Sequence, residues 1–257
     1  MYDVVMFAAL GWEARAVVAG LAAPEAAGQP GAWRGHLGDG ASALVVATGI
    51  GPARAARAVA SAPAGRLLAT VGCAGALVAS LRAGDLVLAN ALVPLDGAGR
   101  PGPPVPVGGE AVATWATRRG LALRVGPIAS SACVLESPAG KAVAAAAGAL
   151  VVEMESGPIA AAARARGVPF VGLRVVLDEA DQAVPLGVLA VDGQGEVRPL
   201  RAAAALALRP RLIPALARLA RQRRLAERRL RDGIGLLLGG GLDAFGIAPR
   251  GAGAAAG

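Results

Sequence analysis

From Tyr2 to Asp181 the chain alternates short apolar runs with segments of helical spacing, and glycines punctuate the changes. Tyr2–Leu10, Leu44–Val46, Leu67–Val71, Leu86–Ala89, Leu121–Val125 and Phe170–Val176 are near-continuous apolar runs. Runs of this kind, bounded by turn residues, read as strands buried on both faces. Glu13–Leu21, Pro52–Ala60, Ala76–Leu81, Lys141–Ala149 and Gly157–Arg166 read as helices. Pro52 suits a first helical position, where its missing N–H costs nothing. The alternation predicts an α/β fold of three layers, αβα, with a doubly wound, mainly parallel sheet. Pro94–Gly109 reads as a loop, Arg201–Arg231 as a helix or helix pair broken near Pro210 and Pro214, and Gly239–Gly257 as a disordered Gly/Ala tail.

Composition narrows this picture. In 257 residues, 55% are hydrophobic and 17% charged, which excludes disorder for most of the length and favours one large core over two small ones. Aromatic residues make up only 3%, so Ala, Val and Leu must fill that core. No stretch approaches the roughly 20 apolar residues of a membrane span, and Asp3 interrupts the N-terminal run where a signal peptide would be apolar. Two cysteines and one histidine, without metal-ligand spacing, fit a reducing cytoplasm and predict no metal site. Cys133 and His36 are read as without a functional role. The net charge of +8 is local: residues 198–231 carry 11 Arg against the single Glu227, which leaves 15 basic and 17 acidic residues elsewhere. A nucleic-acid partner is therefore not expected of the body.

In open α/β sheets, ligands bind beyond the carboxyl ends of strands, and the residues able to carry chemistry fall there. Glu153-Met154-Glu155 places two carboxylates in apolar surroundings. A carboxylate suits the paired hydroxyls of a ribose, but acids also favour a helix start. Asp178 closes Arg174-Val175-Val176-Leu177-Asp178, where it fits either a general acid beside a departing base or a helix N-cap. Glu13, just after the first run, suits activation of a water or the first turn of a helix. Gly49-Ile50-Gly51 and Gly72-Cys73-Ala74-Gly75 are glycine loops that let backbone approach a ligand or an anion; neither has dinucleotide or P-loop spacing.

Taken together, "AALGWEAR", "VVATGIGPARAA", "TVGCAGAL…LRAGDLVLAN", "VVEMES" and "VPFVGLRVVLDEAD" resemble the nucleoside phosphorylase/nucleosidase superfamily, particularly its methylthioadenosine/adenosylhomocysteine branch. The resemblance implies an enzyme that cleaves the N-glycosidic bond of a purine nucleoside. It implies catalytic roles for Asp178 at purine N7, for Glu13 at the nucleophilic water, and for Arg174 in support of the nucleophile. It implies a substrate-binding set of Glu155 on the ribose hydroxyls, Met154 against the sugar, and Glu153, Gly72, Cys73 and Val134. Gly49, Gly51 and Arg54 would form the phosphate or water site. No cofactor is implied beyond phosphate as a co-substrate. Two departures stand out: Leu177 replaces the serine that many relatives carry before the Asp, and the first loop lacks an arginine cluster for phosphate. The carboxylate of Glu13 would repel phosphate, which favours hydrolysis.

After Asp178, a D-x-A-D-x-x-x-P turn, a V-D-G-x-G hairpin and the arginine-rich segment resemble the hopanoid-associated phosphorylases, which release adenine from adenosylhopane. Leu212, Leu216, Leu219, Ala226 and Leu230 fall on one helical stripe with arginines around it, a pattern for a peripheral membrane helix over Arg211–Arg231 or for a solvated helix packed on the body. The resulting expectation is a nucleosidase-like domain over residues 1–200, a basic helical extension over 201–238 and a tail over 239–257. It would be a cytoplasmic homo-oligomer, in peripheral contact with the inner membrane face, acting on a small or lipid-linked adenine nucleoside. The alternatives are a methylthioadenosine/adenosylhomocysteine or futalosine-type nucleosidase and, in another class, a non-catalytic nucleoside-binding module.

Overall fold

A computed structural model describes residues 1–184 and 210–248. In chain order the elements are β1 (Tyr2–Ala8), α1 (Gly11–Val18), β2 (Ala22–Ala26), β3 (Ala32–His36), β4 (Ser42–Ala47), α2 (Pro52–Ser61), β5 (Gly65–Ala76), β6 (Leu86–Pro94), β7 (Val105–Pro106), α3 (Glu110–Arg118), β8 (Arg124–Ser130), α4 (Pro138–Ala145), β9 (Val151–Glu153), α5 (Ser156–Ala165), β10 (Phe170–Asp178) and α6 (Ile213–Gly239). One-turn 3₁₀ segments at Pro210–Leu212 and Gly241–Phe245 flank α6.

The parallel strands β4, β1, β5 and β10 lie side by side, with the β2–β3 hairpin added antiparallel at the β4 edge. Beyond them the sheet closes on itself. β10 pairs with β6, β6 with β8, β8 with β9, and β9 returns to β5. The α/β class stands: parallel pairings run through β4, β1, β5 and β10 and through β6, β8 and β9. Five of the ten strand pairings described are antiparallel; β2–β3, β3–β4 and β6–β7 join strands adjacent in the chain, whereas β6–β10 and β5–β9 join strands distant in it.

Strand alternation divides the core into two layers. Val4 and Met6 of β1 face one layer with α1, Trp115 of α3 and the second half of α6. Val5 and Phe7 face the other with Ala55 and Val59 of α2 and Ile159 and Ala163 of α5. The buried stripe of α6, from Ala226 through Leu230, Ile234 and Leu237, follows the three- and four-residue steps of an apolar helix face. Its end is gripped by the β3–β4 turn: Gly38 N–H donates to Leu238 O at 2.8 Å and Leu242 N–H to Asp39 Oδ2 at 2.8 Å.

Several expectations need correction. Ala76–Leu81 is not a helix, because β5 runs on to Ala76 as the strand shared by β1, β9 and β10. For the same reason Gly72–Gly75 is strand interior and not a loop. The run expected at Leu121–Val125 enters the sheet only from Arg124. The β2–β3 hairpin was not anticipated, and Pro94–Gly109 contributes β7. Pro214 lies in the first turn of α6 and starts it instead of breaking it. Gly239–Ala248 is not disordered: Leu242, Ala244 and Phe245 are buried in the core. The V-D-G-x-G hairpin, residues 201–209 and residues 249–257 lie outside the described residues. Among the described residues no helix is long and apolar enough to cross a membrane.

The grip of the β3–β4 turn on α6 leaves no space at Gly38, where a Cβ would lie 2.1 Å from Gly239 O. Gly38→Ala is expected to destabilise the fold by about 1–3 kcal/mol. Leu230→Ala, in the core, should cost about 2–5 kcal/mol, and Arg228→Ala, on the exposed side of α6, less than about 0.5 kcal/mol. Urea unfolding midpoints of the three variants measure this ranking.

Candidate active site

The carboxyl ends of β1, β5 and β10 open into a pocket of about 330 Å³. Glu13, Cys73, Met154, Glu155 and Asp178 line it together, as does Val134. Residues separated by up to 165 positions are thus gathered at one place by the sheet topology.

Glu13 sits in the first turn of α1. Its Oε2 accepts the Leu10 N–H at 2.8 Å and its Oε1 the Cys73 N–H at 2.7 Å. One oxygen caps the helix, as the first-turn reading expects, and the other reaches across to β5. Burial pushes its carboxyl above the ordinary range, while the Cys73 N–H and side chain, the Leu10 N–H and the Arg174 charge pull against that rise. The Cys73 thiol is driven up by burial and by Glu13, so it stays protonated at neutral pH.

The strand glycines make room for these groups. A Cβ at Gly72 would lie 2.9 Å from both Glu13 carboxylate oxygens and 3.0 Å from Arg174 Nη1, and one at Gly75 would lie 3.0 Å from Asp178 Oδ2. Gly72 therefore admits the side chains of the site in place of a ligand.

Arg174 is 2% exposed in the middle of β10. Its Nη2 donates to Glu153 Oε2 at 2.5 Å and to Ser156 Oγ at 2.7 Å. The same Glu153 oxygen accepts the Glu155 and Ser156 N–H groups at 2.9 and 2.8 Å. Glu153, expected among the substrate ligands, thus turns one oxygen entirely onto the protein, capping α5 and pairing with Arg174. Thr70 and Ser156, absent from the sequence reading, extend this network through a 2.9 Å hydroxyl contact.

Glu155 stands at the entrance of α5 with Oε1 accepting the Gly51 N–H at 2.8 Å. Gly51 has φ +100°, a conformation open mainly to glycine, so Gly49-Ile50-Gly51 acts as the arm that delivers this N–H. Burial and the neighbouring Glu153 charge raise the Glu155 carboxyl to about 7, against Arg174 and the Gly51 N–H. Arg54, expected at a phosphate or water site, lies half-buried on α2 and does not line the pocket.

Asp178 ends β10. Lys141, a residue that sequence reading passed over as part of an Ala-rich helix, forms an ion pair with its Oδ2. Burial raises the Asp178 carboxyl and Lys141 opposes the rise. The outer wall comes from α6: Leu216, Leu219 and Ala220 face Val134, Leu135 and Val184, with Arg223 near the Trp12 ring at 6.0 Å. Of the two alternatives for the stripe, membrane contact or packing on the body, the described residues show packing: Leu216 and Leu219 line the pocket and Ala226 and Leu230 lie in the core.

The raised Glu155 carboxyl has a stability cost whose sign is fixed. Below the ordinary 4.5 it is protonated folded and unfolded, so burial costs nothing; above about 7 it is ionised in both states and the cost is full. Stability from the protonated form is therefore lost as pH rises through about 7. Glu155→Gln is expected to gain about 1–3 kcal/mol in unfolding free energy at pH 8, shrinking toward pH 5. Denaturant titrations at the two pH values check this; a gain independent of pH would contradict the assignment.

Comparison with known proteins agrees with this geometry. The sequence matches the family described as "Phosphorylase superfamily" over residues 3–209. The fold superposes on 5'-methylthioadenosine/S-adenosylhomocysteine nucleosidase from Helicobacter pylori, solved with butyl-thio-DADMe-Immucillin-A, with a TM-score of 0.65 and 20% identity, covering 91% of this chain and 98% of that one. The Neisseria meningitidis enzyme of the same name, in complex with methylthio-immucillin-A, gives 0.64 and 21% over 92% and 99%. Futalosine hydrolase of Helicobacter pylori gives 0.64 and 19% over 90% and 96%. A comparison with curated proteins found no match. On the extent of the family match, the chain belongs to the phosphorylase superfamily of enzymes.

Proposed function

We propose that this protein hydrolyses the N-glycosidic bond of a 5'-substituted adenine nucleoside, and that its substrate is adenosylhopane, from which adenine is released in hopanoid biosynthesis. The observation that carries the reading is the convergence of Glu13, Glu155 and Asp178 on one pocket, much of whose remaining lining is apolar, with Leu216, Leu219, Val134 and Leu135 among it.

Each carboxylate is held by one oxygen or by defined donors, which suits a distinct role. Glu155 has Oε1 fixed by Gly51 and offers Oε2 to the ribose hydroxyls, with Met154 packed against the sugar. Asp178 delivers a proton to N7 as the C1'–N9 bond breaks and the electron pair passes to the base. Proton delivery at that moment stabilises the leaving group, and fixed hydrogen bonds do so without reorganisation. A water beside Glu13 attacks C1', and Glu13 takes up its proton.

Water is favoured over phosphate because the Glu13 carboxylate would repel an anion, while Arg174 has its Nη2 turned to Glu153 and Ser156. The apolar 5' substituent is supported by Leu216, Leu219 and Val134, the last 39% exposed at the rim. An apolar side chain left open beside a polar site suits an apolar ligand tail. Arg218, Arg221, Arg224 and Arg228 on the exposed side of α6 suit approach to an anionic lipid surface through charge, since the apolar stripe of the helix is spent inward.

Purified protein incubated with adenosylhopane in detergent micelles should release adenine, leaving the ribose on the hopanoid with a hydroxyl at C1', at a rate independent of phosphate. Cleavage of 5'-methylthioadenosine alone would keep the nucleosidase reading and discard the hopanoid one. Cleavage of neither would discard both and favour a nucleoside-binding role. Asp178→Asn and Glu13→Gln should each lower kcat by about 10²–10⁴-fold with KM little changed, the mark of groups that act in the transition state.

A further inference from the structure

Lys141 is 1% exposed, the fourth residue of α4, a helix capped by Ser137 accepting the Gly140 N–H at 3.1 Å. Its place is unfavourable twice over. A buried ammonium loses its hydration, and a cation in the first turn of a helix opposes the helix dipole. Only well-placed acceptors offset that cost, and Lys141 has three: Asp178 Oδ2, Glu179 O at 2.7 Å and Gln182 O at 3.0 Å. The ammonium has three N–H donors, so none is left to bind a substrate directly.

The surroundings keep this arrangement fixed. Gln182 Oε1 accepts the Glu179 N–H at 3.3 Å and the Gln222 side-chain amide of α6 at 2.8 Å, and Val184 N–H returns to Glu136 O at 2.9 Å. The turn after β10 is thereby tied to both α4 and α6. Leu177, just before Asp178, offers no hydroxyl to the carboxylate, so Lys141 is the side chain that secures it among the described residues.

We propose that Lys141 is a positioning residue for the leaving-group side of the reaction: it pins Asp178 by Oδ2, so that Oδ1 alone is presented to the purine, and it governs how readily that carboxyl gives up its proton. The inference deepens the nucleosidase reading and rests on it for its catalytic consequence. The other ionisable groups lining the same pocket are Glu13 from α1, Cys73 from β5, Cys133 from the segment after β8, Glu153 and Glu155 from the β9–α5 junction, and Arg223 from α6. Glu179 turns toward Arg82, 3.7 Å away, and to the Ala83 N–H. Of these groups, Lys141 is the one in contact with the Asp178 carboxylate.

Without the ammonium, only a backbone N–H opposes the burial of Asp178, and its carboxyl holds its proton to higher pH. In Lys141→Met the alkaline limb of kcat/KM on an adenine nucleoside should therefore move up by about one pH unit or more. Its kcat should fall tenfold or more from lost orientation, with KM changed less than threefold. Lys141→Arg, which keeps the charge, should keep the limb near its wild-type position. In an Asp178→Asn background, Lys141→Met should cost little further kcat, because a residue acting through Asp178 is not additive with it. An unmoved limb, or equal losses in both backgrounds, would make Lys141 a structural residue only.

A measurement independent of turnover separates this inference from the nucleosidase reading. The Asp178 carboxyl, followed by ¹³C NMR of aspartate-labelled protein and assigned with Asp178→Asn, should titrate at higher pH in Lys141→Met or Lys141→Gln than in the wild type. An unchanged titration overturns the proposal whatever the enzyme cleaves. A shifted titration in a protein that cleaves no adenine nucleoside upholds the control by Lys141 and rejects the nucleosidase reading instead.

Discussion

Several carboxyl groups cannot share a buried pocket without a counter-charge, and Arg174 supplies it from the middle of β10. Its guanidinium binds Glu153 and Ser156, while its charge pulls against the rise of both Glu13 and Glu155. Breaking a buried pair of this kind leaves an uncompensated charge, which costs several kcal/mol. The same Glu153 oxygen caps α5 through the Glu155 and Ser156 N–H groups, so the ion pair also sets where Glu155 stands. Strand, helix start and site electrostatics meet in one contact. Even so, the pair is not fully satisfied: Glu153 Oε1 and Arg174 Nε are buried without a partner among the described residues.

Around this pair the glycines of β5 act by what they leave out. A side chain at Gly72 would collide with Glu13 and Arg174, and one at Gly75 would press on Asp178. A strand with three partners is thus also the one that concedes space to the site. Two cations then divide the pocket: Arg174 steadies the Glu13 and Glu155 side, and Lys141 the Asp178 side. In the proposed reaction these are the water, ribose and base positions. That division lets carboxyl groups of one chemical type be tuned separately by their neighbours.

The elements that sequence reading placed well were those whose signal is local and repeated. Apolar runs marked β1, β4 and β10, and Pro52 marked the start of α2. The misplaced ones depend on partners. β9 is three residues long and owes its existence to pairing with β5 and β8. The β2–β3 hairpin is exposed along β2, so it has no apolar alternation to read. Gly239–Ala248 has the composition of a tail, yet Leu242 and Phe245 fill space against Leu37, Trp115 and Leu237.

By itself the sequence determined the α/β class, the family resemblance and the set of acids and the arginine gathered at the site, because strand and helix periods and the order of motifs are written in residue types. Tertiary structure alone decided which acid meets which cation. Lys141 stands 37 residues from Asp178, and nothing in an Ala-rich helix distinguishes a buried, ion-paired lysine from one in water. It also decided that Leu216 and Leu219 of α6 line the pocket and Ala226 and Leu230 enter the core, since an amphipathic pattern records that a face will be covered but not by what.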